Sequence, residues 1–167
     1  MADGSAQTDK GNRADQWPIP KFHFKVTFSD GAGGDLGEVP FQEVSGMDTE
    51  VQVIEYRSGD DKRFTMAKMP GLIKTSNVTL KKGMFKDDND FWDWYSKIKM
   101  NTVARSTVTI ELLDEEAAPL HTWVLTNAFP VKITVTDLKA DGNEVAVETL
   151  EIAHEGIKQN GLSSPGE

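Results

Sequence analysis

The residues of this chain whose type and spacing could support catalysis or ligation are its histidines, its paired carboxylates and one glycine-rich run. Three histidines, His23, His121 and His154, are spread along the sequence. None stands in the H-x-x-x-H or Cys/His spacing that holds zinc, each falls in a strand pattern, and there is no cysteine to complete a thiolate site. The run Gly31-Ala32-Gly33-Gly34-Asp35-Leu36-Gly37 invites a nucleotide-binding reading, but Leu36 stands where G-x-G-x-x-G needs its third glycine and a strand pattern follows instead of a helix. It reads as a hairpin loop. Asp87, Asp88 and Asp90 open like a calcium loop, yet Trp92 and Asp93 occupy the positions of an oxygen ligand and a glycine, so helix capping accounts for the acids. Asp60-Asp61 and Glu115-Glu116 could serve a hydrolase; both pairs lie in expected turns, where acids are ordinarily solvated. There is no G-x-S-x-G elbow and no phosphate-binding P-loop, and Asn77-Val78-Thr79 matches a glycosylation sequon by pattern alone. The expectation is a protein with no catalytic residue, cofactor or metal; an enzymatic or ligand-binding β-barrel is the distant alternative.

The elements that would position these residues are mostly strands. Phe22, Phe24, Val26 and Phe28 alternate with Lys21, His23, Lys25 and Thr27, the two-residue period of a strand with one dry face. The same alternation places Val78 and Leu80, then Val108, Ile110 and Leu112, then Trp123 and Leu125, and then Val131, Ile133 and Val135 on buried faces. Strands are also expected at Val39–Val44 and Thr49–Tyr56, joined by a Ser45-Gly46 turn. In the last strand Val145 and Val147 share one parity and Leu150 and Ile152 the other, which predicts a bulge near Glu148 and Thr149. Only Asp88–Lys99 asks for a helix. There Phe91, Trp94, Tyr95 and Ile98 recur at i, i+3, i+4 and i+7 as one apolar core face, with acids at its start and Lys97 and Lys99 at its end. The fold class is mainly β, a small barrel or sandwich with one flanking helix.

Composition bounds what such a domain can do. The chain has 167 residues, 18 Lys+Arg against 27 Asp+Glu and a formal net charge of −9. Affinity for a nucleic-acid backbone comes from cationic neutralisation of phosphates, so tight nucleic-acid binding is not expected of this general surface. No apolar run approaches the ~18 residues of a membrane helix, and the polar start MADGSAQTDKGNRADQ does not resemble a signal peptide. Direct membrane anchoring is therefore not expected. Residues Met1–Gln16 and Gln159–Glu167 are polar and without apolar periodicity, and are expected to be a flexible extension and a flexible tail around a domain spanning residues 17–158.

Two features fit poorly with a self-sufficient monomer. The segment from Arg57 to Pro70 interrupts the strand rhythm. It puts Arg57, Ser58, Asp60, Lys62 and Arg63 ahead of Phe64, Met66 and Met69. Long loops inside compact domains are uncommon unless they act, so the sharper reading is an arm that orders against a neighbouring subunit and the plainer one a floppy hairpin tip. In the preceding strand Val51, Val53 and Ile54 fall on both parities, as in a strand covered on both sides.

From about Phe22 to Gly156 the sequence resembles the tail-tube protein family of contractile phages and phage-tail-like contractile injection systems. The likeness is carried by FQEVSGMDTEVQVIEYRSGD (Phe41–Asp60), KMPG (Lys68–Gly71), NVTLKKGMFKDDNDFWDWY (Asn77–Tyr95) and TNAFPVKITVTDLKADGNEVAVETLEIAHEG (Thr126–Gly156), in that order. The resemblance implies a structural protomer of hexameric rings that stack into a hollow tube inside a contractile sheath. Neighbouring subunits would join strands, with Val51, Val53 and Ile54 at that junction, and the segment Tyr56–Pro70 would reach the next ring. Implied partners are copies of itself, a sheath protein, baseplate or spike and tube-terminating proteins, and luminal cargo, either effector protein or DNA. The particle would assemble in the bacterial cytoplasm without a signal peptide and eject its tube on sheath contraction. The type VI secretion ring protein is the alternative within the same architecture. A phage tail and an injection system both fit, with the polar N-terminal extension and the expanded Ser29–Glu38 turn favouring the latter. An acidic lumen would let DNA slide without holding it as a ligand.

Overall fold

The computed structural model describes residues 19–29, 37–86, 88–100 and 102–163. Its strands are β1 (Phe24–Ser29), β2 (Gly37–Val39), β3 (Glu43–Ser45), β4 (Thr49–Tyr56), β5 (Ala67–Thr75) and β6 (Val78–Gly83). After the helix α1 (Asp90–Ser96) come β7 (Ser106–Leu113), β8 (Pro119–Val135), β9 (Val147–Ala153), β10 (Gly156–Gln159) and β11 (Leu162–Ser163). The extension expected at Met1–Gln16 and the turn at Gly31–Leu36 lie outside the described residues.

The main sheet runs β2-β1-β7-β8-β9-β6-β3, antiparallel throughout, with β10 and β11 attached beside β8. Strand β8 joins its two halves. Its first part pairs with β7 on one side and β10 on the other, and its last part, from Phe129 onward, pairs with β9. Asn127, at φ 51°, lies where β8 changes partners; asparagine tolerates this left-handed conformation better than most residues. The sheet stays open at β2 and β3, so within one chain the architecture is a sandwich-like β fold and not a closed barrel.

Period-two alternation generates the core. Val26 and Phe28 of β1, Val108 and Ile110 of β7 and Leu125 of β8 meet Val78 and Leu80 of β6 and Leu150 and Ile152 of β9 in one buried cluster. Burying each such side chain contributes about 1.5–3 kcal/mol before entropy is charged. The helix closes this core with Phe91 and Trp94, which stand with Phe41 around Phe28 at ring-centroid distances of 5.8–6.1 Å. The Trp94 indole donates to the Ala104 carbonyl at 2.9 Å, tying the helix to the segment that leads into β7.

Several sequence expectations change here. The expected Val39–Val44 strand divides into β2 and β3, which pair with β1 and β6 at opposite ends of the sheet. Pro40, which has no amide donor, follows β2 directly. The Trp123-Leu125 and Val131-Ile133-Val135 segments are one 17-residue strand. Phe22 precedes β1 and is exposed. The helix is shorter than expected, and no side chain caps it. Asp88 instead pairs with Lys82 at 2.5 Å. The bulge expected near Glu148 lies across the ladder in β8, between Pro130 and Lys132, while β9 alternates regularly with Glu148 facing inward. Val145 lies outside β9 and is exposed, so its parity carried no information. Residues 159–163, placed in the loose tail by composition, end β10 and form β11, joined through Asn160 and Gly161 at positive φ.

Candidate functional site

β4 and β5 form a two-stranded sheet separate from the main one, carried by the links to β3 and β6. Every residue of β4 is exposed. Val51, Val53, Ile54 and Tyr56 show water an apolar surface on both faces of the arm, joined by Met69 and Leu72 of β5, the latter 82% exposed. An isolated two-stranded hairpin is marginal in water, and contiguous exposed apolar surface marks an interaction site. The strand expected at Thr49–Tyr56 has these bounds, and the side chains expected at a junction, Val51, Val53 and Ile54, all lie on this arm.

The arm is shaped by a bulge. Val51 faces Ile73 while Val53 faces Pro70, so β5 carries one extra residue between them. A side chain at Gly71 would meet the Gln52 carbonyl at 2.7 Å and Ile54 at 3.0 Å, which is why glycine stands there. The connecting loop is shorter than Tyr56–Pro70, because Tyr56 ends β4 and Ala67, Lys68, Met69 and Pro70 already belong to β5. Its tip is tied by its own charges. The Asp61 carboxylate accepts from the Arg63 amide at 3.0 Å and from its guanidinium at 3.1 and 3.2 Å, while Arg57 donates to the Arg63 and Asp61 carbonyls. Arg63 holds the Asp61 carboxyl below its ordinary range, and the Ser58 hydroxyl does the same for Asp60. Lys62 is exposed on this tip, Met66 is 55% exposed and Phe64 projects with 99% of its surface in water. Asp60-Asp61, a candidate acid pair by sequence, therefore organises a turn.

The expected helix face divides. Phe91 and Trp94 enter the core, but Tyr95 and Ile98 instead line a shallow apolar hollow with Phe129, Pro130 and Val131. Ile98 lies beyond the end of α1. The apolar row Val131-Ile133-Val135 reaches the core only through Ile133; Val131 and Val135 are exposed.

The remaining chemical candidates stay apart. His23 Nδ1 lies 2.8 Å from the Asp114 carbonyl, His121 meets Gln159 and Asn160, and the buried His154 donates from Nδ1 to Gly156 at 3.0 Å. Asp114, Glu115 and Glu116 share a turn in which Asp114 Oδ1 accepts from the Glu116 and Ala118 amides. Among the described residues no group of three or more His, Cys, Asp or Glu could hold a metal. Inside the core, however, lies an ionic cluster that pattern reading missed. Lys82, 1% exposed, pairs with Asp88 at 2.5 Å and Glu148 at 3.8 Å, and its ammonium stands 3.9 Å from the Phe91 ring centroid. Burial pushes the Glu148 carboxyl up, Lys82 pulls it down and Asp88 pushes it up again. The signal was available in the parity of β6, which sets Lys82 in the inward row of Val78 and Leu80.

Among the described residues, the β-sandwich carries an apolar two-stranded arm that no third strand covers. The chain belongs to the T4-like virus tail tube protein gp19 family, whose model matches residues 20–158. Among solved structures it is similar to a chain of the sheath–tube complex of PVC, an extracellular contractile injection system, in the extended state. That match has 32% identity and TM-score 0.78, covering 89% of this chain and 95% of that one. A chain of the anti-feeding prophage cap, the AFP tube-terminating cap, matches at 33% identity and TM-score 0.79, covering 93% of this chain and 98% of that one. A crystal structure of an Hcp protein shares the fold at 14% identity and TM-score 0.57, covering 84% of this chain and 96% of that one. No curated protein sequence matches the chain.

Proposed function

We propose that this protein is the protomer of the inner tube of a contractile injection system. It builds rings that stack into a hollow conduit, which sheath contraction drives out together with its cargo. The observation that carries this reading is the exposed β4–β5 arm, held on a fold that is 32–33% identical to chains of PVC and AFP particles. A monomer gains nothing from holding Val53, Ile54, Phe64 and Leu72 in water, whereas a protomer buries them on assembly. The work of such a protein is mechanical. Rigidity comes from ladders between chains and from arms between rings, and no bond chemistry is required.

On this reading the loop Arg57–Met66 reaches the adjacent ring, with Phe64 as its apolar anchor and the Arg57–Asp61–Arg63 ties setting its shape. A sheath surrounds the tube, a baseplate or spike and a terminating cap close its ends, and effector protein or DNA occupies its lumen. Assembly takes place in the cytoplasm. The family relation also admits a phage tail, and the type VI ring protein shares only the fold through the Hcp likeness. Among the described residues no helix is long and apolar enough to cross a membrane.

Electron microscopy of the purified chain tests the assembly, and a variant with residues 58–65 replaced by Asn-Gly tests the loop. Stacked rings with an open centre are expected from the unmodified chain. The variant should form single rings that stack poorly. A persistent monomer at high concentration overturns the tube reading, and normal tubes from the variant overturn the inter-ring role.

A further inference from the structure

Two of the three histidines stand at the two ends of β10, and each is bonded there in a way that suits a neutral imidazole. At the start of the strand, His154 lies in the turn from β9 and is 8% exposed. Its Nδ1–H donates to the Gly156 carbonyl at 3.0 Å, and among the described residues its buried Nε2 has no hydrogen-bond partner. A neutral ring leaves one lone pair unmet there; a protonated ring leaves an N–H and a full charge, which costs far more. The charged groups around it supply no acceptor. Glu155 is engaged by Arg105, which leads into β7, and by Asn127 of β8, while Glu151 accepts from Asn77. At the root of the arm the Thr75 hydroxyl donates to the His154 carbonyl at 3.3 Å; Lys74 and Asp48 stand beside this link and do not bond Nε2.

At the far end of β10 the constraint comes from Asn160. Its backbone amide donates to the Thr122 carbonyl at 2.8 Å, and its Oδ1 accepts from the Thr122 amide at 2.8 Å, so the carboxamide cannot turn round without breaking the second bond. That fixes Nδ2, which can only donate, 3.1 Å from His121 Nδ1. His121 must present a lone pair at Nδ1, with Gln159 meeting the opposite nitrogen. A proton on Nδ1 sets two donors against each other. In the ladders His121 pairs with Leu112, and Trp123 with Ile110 and Gln159; Lys25, Glu111 and Lys158 fall in the alternate row, on the opposite face. Asp114, in the turn before β8, directs Oδ1 to the Glu116 and Ala118 amides. The Trp123 ring, 4.8 Å away, attracts a cation but offers Nδ1–H no acceptor. His23 differs from both, because its Nδ1 faces the Asp114 carbonyl at 2.8 Å, which a protonated ring satisfies as well as a neutral one.

We propose that the β10–β11 hairpin is an acid-released latch on β8, closed while His121 and His154 are neutral and opened when they take protons. An ordinary imidazole titrates near about pH 6.5, so the latch answers to mild acid, above the range in which ordinary carboxylates protonate. Opening lets both rings reach water and frees the edge of β8 from Trp123 to Thr126 that β10 covers. The β1–β7 and β6–β9 ladders contain no histidine and stay closed. The latch belongs to the single chain and does not depend on the tube reading.

Hydrogen–deuterium exchange of the unassembled full chain, read by mass spectrometry at about pH 7.5 and about pH 5 and corrected for intrinsic exchange rates, tests the latch. Protection of residues 155–163 should fall roughly ten-fold or more at the lower pH, with a midpoint near about 6, while residues 106–113 and 147–153 keep theirs. The double variant His121→Asn with His154→Asn retains an acceptor at the first site and a donor at the second, and neither site titrates. Its hairpin should stay protected at both pH values, and His23→Asn should behave as the unmodified chain. Unchanged protection in acid, a midpoint below about pH 5, or an equal loss in every strand overturns the proposal. An acid response that persists in a folded double variant overturns it as well. Should the double variant fail to fold by circular dichroism, the midpoint in the unmodified chain and its restriction to residues 155–163 decide the matter.

Discussion

Replacing Lys82 with methionine keeps the length of the side chain and removes its charge, which isolates the buried ionic cluster. The ammonium is 1% exposed, 2.5 Å from Asp88, 3.8 Å from Glu148 and 3.9 Å from the centre of the Phe91 ring. Removing one partner of a buried ion pair costs roughly 3–5 kcal/mol, because the other partner is left buried and uncompensated. Two conditions place the expected loss near the lower end, about 3 kcal/mol at neutral pH. Asp88 retains some solvent contact, and Glu148 can escape its unpaired state by taking a proton. With a urea slope of about 2 kcal/mol per molar, the midpoint falls by roughly 1.5 M. The assay is urea unfolding of the unassembled protomer followed by tryptophan fluorescence, to which the buried Trp94 contributes.

The same variant makes a pH prediction. A carboxylate whose folded pKa is raised contributes stability that is full at low pH and is lost as pH rises through the folded value. Glu148 is raised already by burial, and without Lys82 it loses the main influence that lowers it. The penalty of Lys82→Met is therefore largest near pH 7.5 and shrinks toward pH 5. Adding Glu148→Met should restore at least half of the loss, since an apolar pair of similar volume leaves less charge stranded. A loss below about 1 kcal/mol, a penalty that stays constant or grows on acidification, or no recovery in the double variant refutes this account.

Two further substitutions probe the supports of the fold. Gly46→Ala places a Cβ 2.3 Å from the Asn77 carbonyl at φ +85°, so about 2–3 kcal/mol should be lost, seen as a lower thermal midpoint. Trp94→Phe keeps an aromatic ring beside Phe28 but strands the buried Ala104 carbonyl; a loss of about 1–3 kcal/mol in urea unfolding followed by circular dichroism is expected.

The dry faces of the sheet were legible in the sequence because alternation is a local property. Val26-Phe28, Val78-Leu80 and Val108-Ile110 each point inward as their parity requires, whatever strand lies alongside. The reading failed where an inward position holds a charge. Counting only apolar residues in β9 passed over Glu148 and displaced the bulge, which belongs to β8 at Val131. It failed again at Asp88, where a carboxylate next to a helix looks like a cap until Lys82 arrives from β6. The arm was legible in part. Apolar residues on both parities from Val51 to Ile54 announced a strand with two covered faces, and the structure leaves both faces open within one chain.

Sequence alone determined the mainly β class, the helix around Phe91 and Trp94, and a segment around Tyr56–Pro70 that breaks the strand rhythm with apolar residues. All of these follow from periodicity and from the cost of apolar surface in water, which are written residue by residue. Tertiary structure decided which edges close and which stay open. Whether β8 beyond Ala128 meets β7, and whether β4 pairs with anything besides β5, depends on strand order and register, which residues far apart in the chain set together. The same long-range placement put Lys82 between Asp88 and Glu148, turning three ordinary surface residue types into a buried cluster.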